Sequence, residues 1–137
     1  MSLQDQAAFL SNIHPFQVLT PGQMDKCIKH MDIAYYPKNS VLISPEKISN
    51  HFFIIIKGAV YEYSADNMVV MDYHHEDSFD SNSLIYGKCN NTFKVHEELI
   101  CYELEKDTFL KLIEENQQFK DYFLKDLVNK IQTLKDK

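Results

Sequence analysis

The chain has 137 residues, 45% hydrophobic and 25% charged, enough for one domain with its own buried core. A formal charge of −6 with no basic run excludes nonspecific attraction to a nucleic-acid backbone, and the 14 basic residues are all lysines. Without arginine, no side chain offers the rigid two-pronged grip on phosphate or carboxylate.

Residues 5–12, DQAAFLSN, suit a short helix with Ala8, Phe9 and Ala7 turned inward. The following HPFQVLT ends it, because the residue before Pro15 is driven away from helical angles. Thr20 as N-cap, Pro21 at the first helical position and Gln23 three residues after the cap form a capping box. Met24, Cys27, Ile28 and Met31 recur at helical spacing, which predicts a helix over about 21–30.

From residue 31 the period becomes that of strands. DIAYYP, SVLIS, HFFIIIKG, AVYEYS, MVVMDYH, TFKVHE and LICYEL are β-prone segments separated by Pro, Asn, Asp and Ser in turn roles. Gly58 separates two of them and allows a bulge or a tight turn. Tyr61 and Tyr63 share one face, alternating with Val60, Glu62 and Ser64. Nine Phe, eight Tyr and no Trp suit a β-rich core. Short strands at this spacing predict an antiparallel sandwich or jelly roll.

After Leu104 the pattern turns helical again, with Phe109, Leu112 and Ile113 on one face. A second helix, over 116–137, carries Phe119, Phe123, Leu127, Ile131 and Leu134 along one stripe, widened by Leu124 and Val128. It runs to Lys137 without a glycine or proline stop, so a continuation into a further domain is expected. The stripe suits packing on the barrel and equally a seam with a second copy.

Cys27, Cys89 and Cys101 are odd in number and lack metal-ligand spacing, as buried or half-buried thiols in a reducing compartment would. With no transmembrane-length apolar run and no leader-like segment, the expectation is a cytoplasmic chain without membrane contact. His74, His75 and His96 with Glu76 and Glu97 suggest a cupin-like metal site on a jelly roll. Adjacent His74 and His75 point to opposite faces of a strand, however, so no metal and no cofactor is expected. His14, His30 and His51 have no partner spacing. No nucleophile–base or paired-carboxylate pattern has supporting context, and catalysis is not indicated.

The order of elements, with FLSNIHPFQVLTPGQMDKCIKHMDIAYYPKNSVLI followed by HFFIIIKGAVYEYS, resembles the cyclic-nucleotide-binding domain family. The match includes its strand ending in IxxGxV at Ile55-Ile56-Lys57-Gly58-Ala59-Val60 and, in YELEKDTFLKLI, its exit from the last strand into a helix. The resemblance covers roughly residues 9–125. It implies a mainly β fold with flanking helices: a double-stranded β-helix, or jelly-roll barrel, with short N-terminal helices and a long C-terminal one. It also implies a single domain over residues 4–137, a homodimer through the last helix, and a regulatory role in signal transduction.

The family's phosphate cassette reads like F-G-E-x-A-L and, later, R-S/T-A; its Glu holds the ribose, its Arg the cyclic phosphate. Here Phe79 fits the Phe, Asp80 stands for the Gly and Ser81 for the Glu, while Ser83 and Leu84 fit the small-apolar pair. The Arg position falls near Cys89 or Asn90, and the glycines expected around Asn39, Pro45 and Glu76 are absent. Asp77 or Asp80 would satisfy the N–H donors of the short helix starting near Ser81, facing an incoming phosphate with a carboxylate.

The expected function is therefore a regulatory module with a degenerate cassette. The first alternative is a true sensor of a cyclic nucleotide or other small anion, held by the candidate pocket of Phe79, Asp80, Ser81, Ser83, Lys88, Asn90, Asn91 and Thr92, with Lys94 as a second charge. The second is a cupin-type metal-dependent enzyme.

Overall fold

The computed structural model describes residues 3–79, 84–85 and 87–123. It comprises two compact units, one of residues 30–106 and one joining the segments before His30 and after Lys106.

The helical unit contains α1 (Leu3–Ser11), a 3-10 turn (Phe16–Val18), α2 (Pro21–Lys29), α3 (Lys106–Glu115) and a further helical stretch over 117–123. The capping box forms as its residues dictate. The Gln23 amide donates to Thr20 Oγ1 at 3.2 Å and the Thr20 amide to Gln23 Oε1 at 3.1 Å. Asn116 opens the last helical stretch, its Oδ1 accepting from the Phe119 amide at 3.0 Å. Its Nδ2 donates to the Val18 carbonyl at 3.1 Å and to Gln23 Oε1 at 3.0 Å, joining both helix starts.

Phe16, Phe109, Phe119 and Phe123 are buried here and meet edge-on, with ring centroids 5.0 to 6.0 Å apart. Ala8, expected inward, is exposed, with Ala7 and Phe9 half-buried; the core position falls to Leu10, whose larger apolar area gains more from burial. On α3, Thr108 is buried beside Phe109 and Leu112, and Ile113 only half-buried. Leu127, Ile131 and Leu134 lie outside the described residues.

The β unit contains β1 (Met31–Tyr36), β2 (Val41–Ile43), β3 (His51–Tyr63), β4 (Val69–Tyr73), β5 (Ser78–Phe79) and β6 (Thr92–Glu105), all antiparallel. The sequence segments on either side of Gly58 belong to one strand, and so do TFKVHE and LICYEL, so the described residues hold six strands.

The cause is a bend in place of a break. β3 and β6 pair along their length, with register shifts at Ile55/Lys57, Lys57/Ala59 and Ala59/Val60. Gly58, at φ 109°, lies so close to β6 that a Cβ would stand 2.2 Å from the Glu98 carbonyl oxygen. Before the bend the strand order is β1-β6-β3-β5; beyond it, β2-β6-β3-β4. Core residues come from both halves, among them Phe53, Ile55, Leu99 and Cys101 from one and Val60, Tyr73, Phe93 and Val95 from the other.

Two turns adopt glycine-like backbone without the glycines that the resemblance implies. Asn39 and Glu76 hold φ of 76° and 72°, left-handed values that favour glycine. Both are pinned to strands, the Asn39 amide on the Val95 carbonyl at 2.8 Å and the Glu76 amide on the Ile55 carbonyl at 3.0 Å. Glu76 belongs to a turn closed by the Asp77 amide on the His74 carbonyl at 2.9 Å and the His74 amide on Asp77 Oδ2 at 2.8 Å. Just before it, Asp72 Oδ2 lies 2.9 Å from His74 Nε2. That hydrogen bond holds His74 above the usual imidazole range and Asp72 below the usual carboxylate range.

Gly58→Ala is expected to destabilise the chain by on the order of 3 kcal/mol, from backbone collision and a disfavoured φ, measured by denaturant unfolding. Glu76→Gly is expected to stabilise it by about 1 kcal/mol in the same assay, the relief of left-handed strain exceeding the added freedom of the unfolded chain. The Asp72–His74 pair stabilises only between its two titrations, being lost as pH falls through the lowered Asp72 value or rises through the raised His74 value. Asp72→Asn is thus expected to move the His74 midpoint down toward the ordinary range, read by NMR of the imidazole protons.

Candidate functional site

The cassette segment leaves β5 at Phe79 and rejoins the sheet at Thr92 on β6. Phe79 is buried and its ring lies parallel to Phe53, at 4.9 Å and 7°, and to Phe93, at 5.3 Å and 11°. Tyr73 adds a fourth ring, 5.3 Å from Phe79 and 5.9 Å from Phe93. Leu84 is also buried. Phe79, the first apolar residue of the cassette, is thus continuous with the core of the β unit.

At the other end of the cassette the contacts are polar. The Cys89 thiol donates to the Asn91 carbonyl at 3.0 Å, and Asn91 Nδ2 donates to Glu62 Oε2 at 2.7 Å. The Tyr73 hydroxyl donates to the second oxygen, Glu62 Oε1, also at 2.7 Å. Lys88 and Asn90 are exposed, and Asn91, Thr92 and Lys94 half-buried. Of the candidate pocket, Phe79 and Asn91 are drawn into one cluster and Lys88 and Asn90 face outward; Asp80, Ser81 and Ser83 lie outside the described residues.

The helix start near Ser81 that Asp77 was expected to serve lies outside the described residues. The Asp77 carboxylate accepts from the His74 amide, closing the turn on its own side. Glu62 and Tyr73 were not singled out from sequence. The signal for Glu62 was present: it alternates in phase with Val60, which is fully buried, so an acid at that position faces inward.

The histidines of the metal reading go to separate partners. His74 meets Asp72, His75 meets the Ile56 carbonyl at 2.6 Å and Glu76 at 3.3 Å, and His96 stacks on Tyr61 at 4.0 Å. Among the described residues no group of three or more metal-ligating side chains forms. Tyr61 and Tyr63 do share a face, with centroids 6.4 Å apart.

A cleft of about 230 Å³ opens in the β unit between Tyr36 and Glu103 on one side and residues 47–51 on the other. The Tyr36 hydroxyl donates to the Glu103 carboxylate. Burial, and then Glu103, hold that phenol above its ordinary range; Cys101, on the same strand, is pushed up to about 12, again by burial first. Cys27 is likewise raised to about 12 by burial, so both thiols stay protonated near neutral pH. No helix among the described residues is long and apolar enough to cross a membrane.

Solved structures share this fold. The chain aligns with the sensor domain of the transcriptional regulator DNR from Pseudomonas aeruginosa at a TM-score of 0.79 and 15% identity, over 90% of this chain and 91% of that one. A structure of PKAR CBD2 bound to Sp-2Cl-cAMPS aligns at 0.81 and 20% identity, over 99% and 94%. The cAMP-bound PfPKA-R (141-441) aligns at 0.85 and 19% identity over 98% of this chain, which spans 46% of that one. No curated protein sequence matches the chain. Residues 33–116, more than half of its length, match the cyclic nucleotide-binding domain, and the chain belongs to that family.

Proposed function

We propose that the chain is a regulatory module of a signal-transduction protein that keeps the cyclic-nucleotide-binding fold but has lost the standard chemistry for cAMP and cGMP. Domains of this family bind small-molecule ligands and are regulatory rather than typically enzymatic. The observation that carries the reading is the Glu62 carboxylate, held by Asn91 and Tyr73 at the cassette's exit in a chain with no arginine to offset it.

A phosphate brought to within about 4 Å of that carboxylate meets a repulsion of roughly 4 kcal/mol at the dielectric of a protein surface. The missing charge-assisted contact removes a further few kcal/mol, about two orders of magnitude in affinity. Lys88 is exposed, where water weakens any single charge. Phe53, Phe79 and Phe93 contribute to the same end, because their stacked rings favour a packed interior over a ligand-filled one.

In this reading residues 4–137 act as one cytoplasmic domain that pairs as a homodimer through its last helix and reports to an output domain. The stripe of Leu127, Ile131 and Leu134 supports the seam, since Phe119 and Phe123 are already buried within their own unit.

Isothermal titration of the full chain with cAMP and with cGMP tests the loss of binding, and no saturable heat is expected for either. Micromolar binding that disappears in Lys88→Ala would instead establish a working anion sensor.

A further inference from the structure

Glu103 occupies a register position that normally belongs to the core. Across β3 it pairs with Phe53, as Cys101 pairs with Ile55, and the alternation Leu99, Cys101, Glu103 puts all three on the core-facing side of β6. Leu99 and Cys101 are fully buried; Glu103 is half-buried, a carboxylate at the edge of an apolar interior. Its Oε1 accepts from Tyr36, and no second bond from the described residues reaches Oε2. A half-buried carboxylate with an open oxygen attracts a cation, because burial weakens the screening that water would supply.

The surrounding cleft can accept one. Leu42 and Phe53 give it apolar surface, and the Tyr36 ring flanks the carboxylate. The facing loop is already ordered: Ser44 and Lys47 exchange backbone hydrogen bonds at 3.0 Å, Ser49 Oγ binds the His51 amide at 2.9 Å, and the Lys106 amide donates to the Asn50 carbonyl at 2.9 Å. A ligand would therefore have little chain to immobilise. Lys47, which also lines the cleft, donates its ammonium to the Val41 carbonyl at 3.2 Å.

We propose that this cleft binds a small organic cation, an ammonium group carried on a compact apolar body. The ammonium meets Glu103, and the apolar body lies on Leu42, Phe53 and the face of Tyr36. At about 230 Å³ the cleft is below the volume of drug-sized pockets, which limits the ligand to a single ring or short branched chain. The carboxylate of the site is not part of the cassette, although Phe53 borders both, and the inference stands whether or not the cassette binds a nucleotide.

The test is an amide NMR titration of the full chain with 2-phenylethylammonium and with its neutral counterpart 2-phenylethanol. Saturable shifts at Phe53, Glu103 and residues 47–51 are expected for the ammonium, with the alcohol at least about tenfold weaker. Glu103→Gln is expected to lose at least about tenfold in ammonium affinity, whereas Tyr36→Phe, which releases Oε1, retains or gains it. Absence of saturable shifts, equal binding of the alcohol, or unchanged binding to a folded Glu103→Gln would each overturn the proposal. The ammonium–alcohol comparison uses the unmodified chain and decides the matter even if Glu103→Gln does not fold.

Discussion

The close approach of β3 to β6 at Gly58 is the constraint on which the β unit depends. Two strands of this length, paired along their whole course, would form a flat ribbon with no enclosed core. Because residue 58 has no side chain, its backbone can come against Glu98 and Leu99, and both strands change direction together. That shared bend recruits β1 and β5 to one half and β2 and β4 to the other. The aromatic cluster then closes the space, with Phe53 from one half stacked on Phe79 and Phe79 on Phe93 from the other.

Two glutamates on inward-facing positions give this interior its electrostatic character. Glu62 and Glu103 lie on opposite sides of the bend, one on each long strand, and each accepts a hydrogen bond from a tyrosine hydroxyl, Tyr73 and Tyr36 respectively. A tyrosine satisfies a carboxylate without neutralising it. The difference lies in the second oxygen. Glu62 Oε2 is taken by Asn91, which completes its coordination from within the chain. Glu103 lacks such a second donor from the described residues, and it borders a cleft.

Much of the fold was legible because local chemistry and global packing agree. Thr20 and Gln23 announce a helix start in four residues, and the same atoms form the box. The β-prone segments of β3 and β6 were recognised from composition, but each strand was divided in two. Gly58 and the Glu97–Glu98 pair are turn-like in composition, and whether a glycine turns a chain or bends it depends on what lies across the sheet. The site was less legible for the same reason. Glu62 acquires its role only when Asn91, distant in sequence, arrives beside it.

The left-handed Glu76 bears on how the domain opens. Its turn hangs from Ile55 and leads directly into β5 and Phe79. Strain of on the order of 1 kcal/mol stored there is released when the turn lets go, so local opening is about fivefold more populated than it would be with glycine. The first element to detach would be the short strand that carries the cassette's phenylalanine, leaving β3 and β6 paired. A non-glycine residue at this left-handed position would therefore favour opening at the cassette's entrance over opening in the core.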